Sequence, residues 1–193
     1  MSNADSVEYY MLDAEHDEDT MMLSMLQAVG GVSWESGRSF PETVAAPLRV
    51  DVVDGYEDDT EPLSYDSSVP MMSNDLLACL RTHGVDNIVS YPLVIRNKKT
   101  GEEIEGYSAI NIIGLVSAAD PGETVYSPDN SSRLIDADID RLAIDSTRTH
   151  GFLLFRLAEC VTGVVVHRTI KAAVEAAGTF QDISFVEPSE WMG

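Results

Sequence analysis

Between Ser73 and Pro92 the apolar positions change period. Leu76, Leu77 and Leu80 recur at helical spacing on one face. Ser73 stands where a side chain can accept a hydrogen bond from an orphan first-turn amide, and Asp75 suits the positive end of the dipole. His83 and Gly84 close the segment, because glycine takes the left-handed stop conformation without a Cβ clash. Ile88 to Tyr91 then reads as a strand, and Pro92 either ends its ladder pairing or places it at an edge.

A similar pattern returns near the end of the chain. Val164 to Val166 is a short apolar strand, and His167 to Ala177 a helix with Ile170, Ala173, Val174 and Ala177 on one stripe. Gly178 stops it, Ile183 to Val186 is the next strand, and Pro188 follows. The two helix-Gly-strand units match in pattern rather than identity. A duplication is one reading; the other is that such units are common in mixed folds.

The remaining segments fall around these units. Residues 1–6 read as a loose tail and Val7 to Leu12 as a first strand, with Tyr9 and Tyr10 on opposite faces. Asp13 to Asp19 is an acidic loop, and Met21 to Val29 suggests a short helix broken by Gly30-Gly31. A turn-rich stretch holding Trp34 and Gly37 leads to a strand at Leu48 to Val53. After Pro92 the strand continues through Ile95, turns at Asn97 to Gly101 and returns over Ile104 to Ile110. Asn111 to Ala119 runs from strand into a short helix, and 123–132 is loop. Leu134-Ile135 reads as strand, Asp136 to Ile144 as a short helix and Gly151 to Phe155 as strand. Interleaved helices and hairpins predict an α+β fold with mixed antiparallel sheets. One domain over 7–193 is expected, with an acidic first part (7–70) and a helix-strand scaffold (71–193).

Charge changes this picture most. The 193 residues carry 33 acids and 12 bases, a net charge of −21. Residues 1–80 hold 17 of the acids and only two bases, Arg38 and Arg49. Such a field repels nucleic acid and anionic membrane surfaces and attracts a basic protein. No apolar stretch reaches the length of a membrane helix, and acids stand where a signal peptide would have bases. A cytoplasmic location is expected, and Cys79 and Cys160 sit inside apolar patterns as reduced thiols. The methionines Met21, Met22, Met25, Met71 and Met72 read as soft core or, alternatively, as a partner groove.

Catalytic patterns are sparse. There is no Gly-x-Ser-x-Gly elbow, no Cys-x-x-Cys pair and no phosphate-binding glycine loop. His16, His83, His150 and His167 lack metal spacing. Asp136, Asp138 and Asp140 imitate the start of a calcium loop, but Arg141 stands where glycine is wanted and Thr147 where the bidentate glutamate belongs. No metal, no catalytic residue and no cofactor is therefore expected.

Several segments together carry a family likeness. They are the Tyr-Tyr strand Glu8 to Leu12, the Ser-x-x-Leu-x-x-x-Leu helix and Tyr-Pro strand of Ser73 to Pro92, and Tyr107 to Asp120 with its Asn-Ile and Ala-x-Asp. Leu154-Phe-Arg-Leu157 then leads into the second helix and its Gly-turn-strand. In this order the chain resembles a family of polymorphic-toxin immunity proteins, formerly classed as a domain of unknown function. The likeness spans residues 7–187 and is weakest over 13–70. It implies a non-enzymatic bacterial inhibitor that binds and neutralises a cognate toxin, and it supplies no catalytic or contact residues to transfer. The residues themselves offer the acidic run around Tyr56 as the contact candidate: Asp54, Tyr56, Glu57, Asp58, Asp59 and Glu61. A solvated, mobile turn is the plain alternative for that run. For the protein as a whole the alternatives are an enzyme with a carboxylate-based site and a structural subunit with a large apolar face.

Overall fold

The computed structural model describes residues 7–17, 20–56, 58, 62–128 and 136–193. The tail expected over 1–6 and the strand expected at Leu134-Ile135 lie outside them. The fold is α+β, and the described residues form two five-stranded mixed sheets, a two-stranded ribbon and two α-helices.

Its elements in chain order begin with β1 (Tyr9–Ala14), β2 (Leu48–Asp51), β3 (Tyr65–Asp66) and β4 (Met71–Ser73). Helix α1 (Asn74–Thr82) leads to β5 (Ile88–Arg96), β6 (Glu103–Ile112), β7 (Leu115–Val116), β8 (Val125–Tyr126) and β9 (Ile139–Arg141). Then come β10 (Leu154–Leu157), β11 (Val164–His167), α2 (Arg168–Ala177) and β12 (Ile183–Val186). One sheet has the order β12-β1-β11-β10-β7, the other β2-β5-β6-β4-β3, and β8 pairs with β9.

Both helices form where the pattern placed them. Ser73 Oγ accepts from Leu76 N–H and caps α1, and Gly178, at φ 67°, ends α2 in the left-handed conformation. The helices bury Leu76, Leu77 and Leu80, and Ile170 and Val174. These side chains meet one face of each sheet, through Met72, Ile110 and Ile112 on one side and Leu12, Val164 and Val166 on the other.

The two units are alike in topology. Strands β4 and β5 are both antiparallel to β6, which lies between them, and β11 and β12 are both antiparallel to β1. Outside β4 lies antiparallel β3, and outside β11 lies antiparallel β10. Each sheet thus contains hairpin, helix and strand with one inserted antiparallel strand. For the second unit that insert is β1, so both ends of the chain meet in one sheet.

Three local expectations are corrected. Met21 to Val29 is not a helix: Leu23 bridges Val52, and Ser24 N–H donates to Asp51 C=O at 2.8 Å. Pairing with the edge of β2 outweighs the helical spacing of those apolar residues. The described part of Asp136 to Ile144 holds strand β9 rather than a helix. Ala137 and Ile139 are buried while Asp136, Asp138 and Asp140 face out, a period of two that the helical reading passed over. No helix follows β7 either: Gly114 turns the chain at φ 98°, and Ala119 bridges Ile144. Of the two readings of Pro92, the edge position is the one found, and the strand continues past it as expected. Pro92 sits within β5 at the last position before β2 joins at Leu93, where the outer side of β5 carries no ladder.

Candidate partner-binding surface

The outer face of the second sheet is built on Met21, Leu23, Val50, Val52, Met71, Leu93 and Ile95. The Leu23–Val52 bridge turns both side chains into this core, and the neighbouring pair, Met22 and Val53, faces solvent. Val53 N–H donates to Met22 C=O at 2.9 Å. Tyr56 follows one turn on, its N–H donating to Val53 C=O at 3.1 Å. Met22, Val53 and Tyr56 are 39%, 38% and 41% exposed, and Met25, just beyond the bridge, is 74% exposed. Of the five methionines singled out, Met21, Met71 and Met72 are core, and Met22 and Met25 form an exposed apolar strip.

Acids border this strip, and bases from the β5–β6 hairpin reach some of them. Asp51 receives Arg96 Nε at 2.7 Å and Lys98 Nζ at 2.8 Å. The hydrogen bond from Arg96, then that from Lys98, holds the Asp51 carboxyl below the usual carboxylate range. Of the six residues proposed from sequence, Asp54, Tyr56 and Asp58 are described and exposed. Glu57, Asp59 and Glu61 lie outside the described residues. Asp58 pairs with Lys99 Nζ at 2.8 Å, so part of the loop's charge fastens it to the hairpin. Arg49 in turn approaches Glu103 at 3.7 Å.

Of the clefts that adjoin the sheets, two lie beside the acidic first part of the chain. One, of 370 Å³, runs beside β2 between residues 25–30 and 42–49 and is lined by Met25, Leu26, Val29, Val44 and Leu48, with Glu42 and Arg49 as its charged residues. The other, of 510 Å³, lies where the lead into β12 meets Glu15, Asp17, Thr20 and residues 62–64. Glu15, Asp17 and Asp182 line it, no lysine or arginine among the described residues does, and Asp182 accepts from the N–H and Oγ of Ser64. The acidic run Asp13 to Asp19 pointed to this second cleft in part, but nothing in the sequence joined it to Asp182. Nor did anything bring Met22 to Val53.

Asp145, like Asp51, is held more acidic than usual, here first by the Thr147 hydroxyl. Neither carboxylate is tuned toward proton donation near neutrality. Cys79 is half-buried, and burial pushes its thiol up, away from the reactive thiolate. Cys160 is buried and unbridged. Among the described residues no group of His, Cys, Asp or Glu could hold a metal, and no helix is long and apolar enough to cross a membrane. No protein-family model matches this chain, and no curated protein matches it.

Proposed function

We propose that this protein binds a basic protein partner and inhibits it by covering its surface, as an immunity protein covers a toxin. The observation that carries the reading is the exposed strip of Met22, Met25, Val53 and Tyr56 with Asp54 and Asp58 beside it. An apolar centre with a charged border is how a specific interface is organised: the centre supplies affinity, and the border speeds encounter and selects the sign of the partner. The excess of acids in residues 1–80 fits a cationic partner, including one whose own cleft binds an anionic substrate. The order of motifs, in its resemblance to toxin-immunity proteins, points the same way and makes a toxin met in the bacterial cytoplasm the natural candidate.

The test uses the product of the adjacent reading frame, co-expressed with this chain and scored for viability and co-purification. Protection and a complex are expected. Tyr56→Ala combined with Met22→Ser should speed dissociation by about tenfold or more, as for interface anchors. Asp54→Lys should slow association and flatten its dependence on salt. A neighbour that neither binds nor kills, or a complex indifferent to all three substitutions, refutes the reading.

A further inference from the structure

The backbone of β2 carries one uncapped position, and the alternation of its ladder identifies it. Val52 N–H donates to Arg96 C=O at 2.9 Å. In a parallel ladder this gives Leu48, Val50 and Val52 the bonds to β5 and turns the N–H and C=O of Arg49 and Asp51 away from it. Ser24 satisfies Asp51 on that outer side. Its Oγ accepts from Asp51 N–H at 2.9 Å, and its N–H donates to Asp51 C=O at 2.8 Å. Residues 22–24 thus run beside β2 as a partial strand and then leave it at Met25. Beyond that departure, Arg49 has no described strand outside it. β2 is the edge of its sheet, and the 370 Å³ cleft opens there under Met25, Leu26, Val29, Val44 and Leu48.

We infer that β2 accepts an extended segment of the basic partner as an added strand, which takes the ladder place vacated at Met25 and bonds to the N–H and C=O of Arg49. The apolar side chains of that segment enter the cleft, and its bases meet Glu42 and the acidic field of the first 80 residues. This deepens the proposed function and rests on it, since the cleft continues the strip through Met25. A second copy of this chain is the poorer occupant. Two chains of net charge −21 repel, and each would bring mostly acids to Glu42.

Proline and alanine at one position separate strand addition from side-chain recognition. Arg49→Pro removes the outward N–H but no donor used by β5, and edge strands tolerate proline. Arg49→Ala removes the same side chain and keeps the N–H. The probe is an acetylated, amidated peptide of alternating lysine and valine, titrated into the full-length protein, with an alternating glutamate-valine peptide as control. The basic peptide is expected to slow hydrogen exchange at the Arg49 amide by about tenfold and to shift the Met25 methyl resonance. The acidic peptide should do neither. Arg49→Pro should bind the basic peptide about tenfold more weakly than Arg49→Ala, with both variants retaining wild-type circular dichroism.

Equal binding by the two variants, equal effects of the two peptides, or an Arg49 amide untouched at millimolar peptide overturns the inference. So does a dimer of the free protein that already protects Arg49. Once the neighbouring gene product is shown to bind wild type, the same pair of variants is applied to that complex. If it binds both equally, strand addition fails while the proposed function stands; if it does not bind wild type at all, the proposed function fails first.

Discussion

Arg156 sits in the Leu-Phe-Arg-Leu strand, 3% exposed, and its guanidinium is poorly satisfied. On β10 the side chains alternate, so that Leu154 enters the core between the sheets while Phe155 and Leu157 enter the opposite one. Arg156 shares the side of Leu154. One of its amino groups donates to Val161 C=O, its Nε finds no acceptor, and among the described residues it makes no ion pair. Burial pushes its pKa below the ordinary arginine value, partly offset by Tyr65 and Glu35.

Replacing it with methionine keeps an unbranched apolar stem and removes the charge. The loss is one charge-assisted hydrogen bond, about 1.5–3 kcal/mol. The gain is an orphan donor removed, about 1–3 kcal/mol, together with relief of a desolvation cost of several kcal/mol. Arg156→Met should therefore stabilise the fold by about 1–3 kcal/mol, a rise of roughly 2–12 °C in Tm for a chain of this size. Urea unfolding at pH 7, with the midpoint raised and the slope unchanged, is the measurement. Destabilisation by more than about 1 kcal/mol would refute the reasoning, because it would mean that the buried guanidinium is held by more than the contact to Val161. If the variant is stabilised, the arginine is present for a reason other than folding energy.

Two further outcomes test the local physics. Ser73→Ala removes the acceptor that caps α1 and should cost about 1 kcal/mol in urea unfolding, while Ser73→Gly should cost only a few tenths. The lowered pKa of Asp51 means that its contribution to stability is fully present above the unfolded value of about 3.9 and is lost as pH falls through the folded value. Asp51→Asn should therefore be less stable than wild type between pH 5 and 8 by an amount that salt reduces. The difference should close below about pH 4, as followed by thermal unfolding across pH.

The elements legible in the sequence are those whose energetics are local. Ser73, Asp75 and Gly84 around α1, Gly178 after α2, and the turn at Asn97 to Gly101 act on backbone groups within a few residues of themselves. The same holds for the stripes that bury Leu76, Leu77, Leu80, Ile170 and Val174, and for the likeness of the two units, which their topology repeats. Asp136 to Ile139 was legible as well: its alternation is a strand signal, and the helical reading missed it.

The tertiary structure decided what depends on distant partners. Met22 to Met25 has apolar spacing that suits a helix, yet at the exposed edge of β2 the N–H and C=O of Asp51 bond to the hydroxyl and N–H of Ser24, and Leu23 finds a place in the core. That one pairing sets Met22 beside Val53, leaves Met25 outside and uncovers the edge at Arg49. Likewise Lys99 reaches back to Asp58, so the charge of the acidic run is less free than its composition suggests. A chain records its local preferences residue by residue. Which edge a segment closes onto, and which acid a base reaches, is settled only when burial repays the entropy of bringing separated segments together.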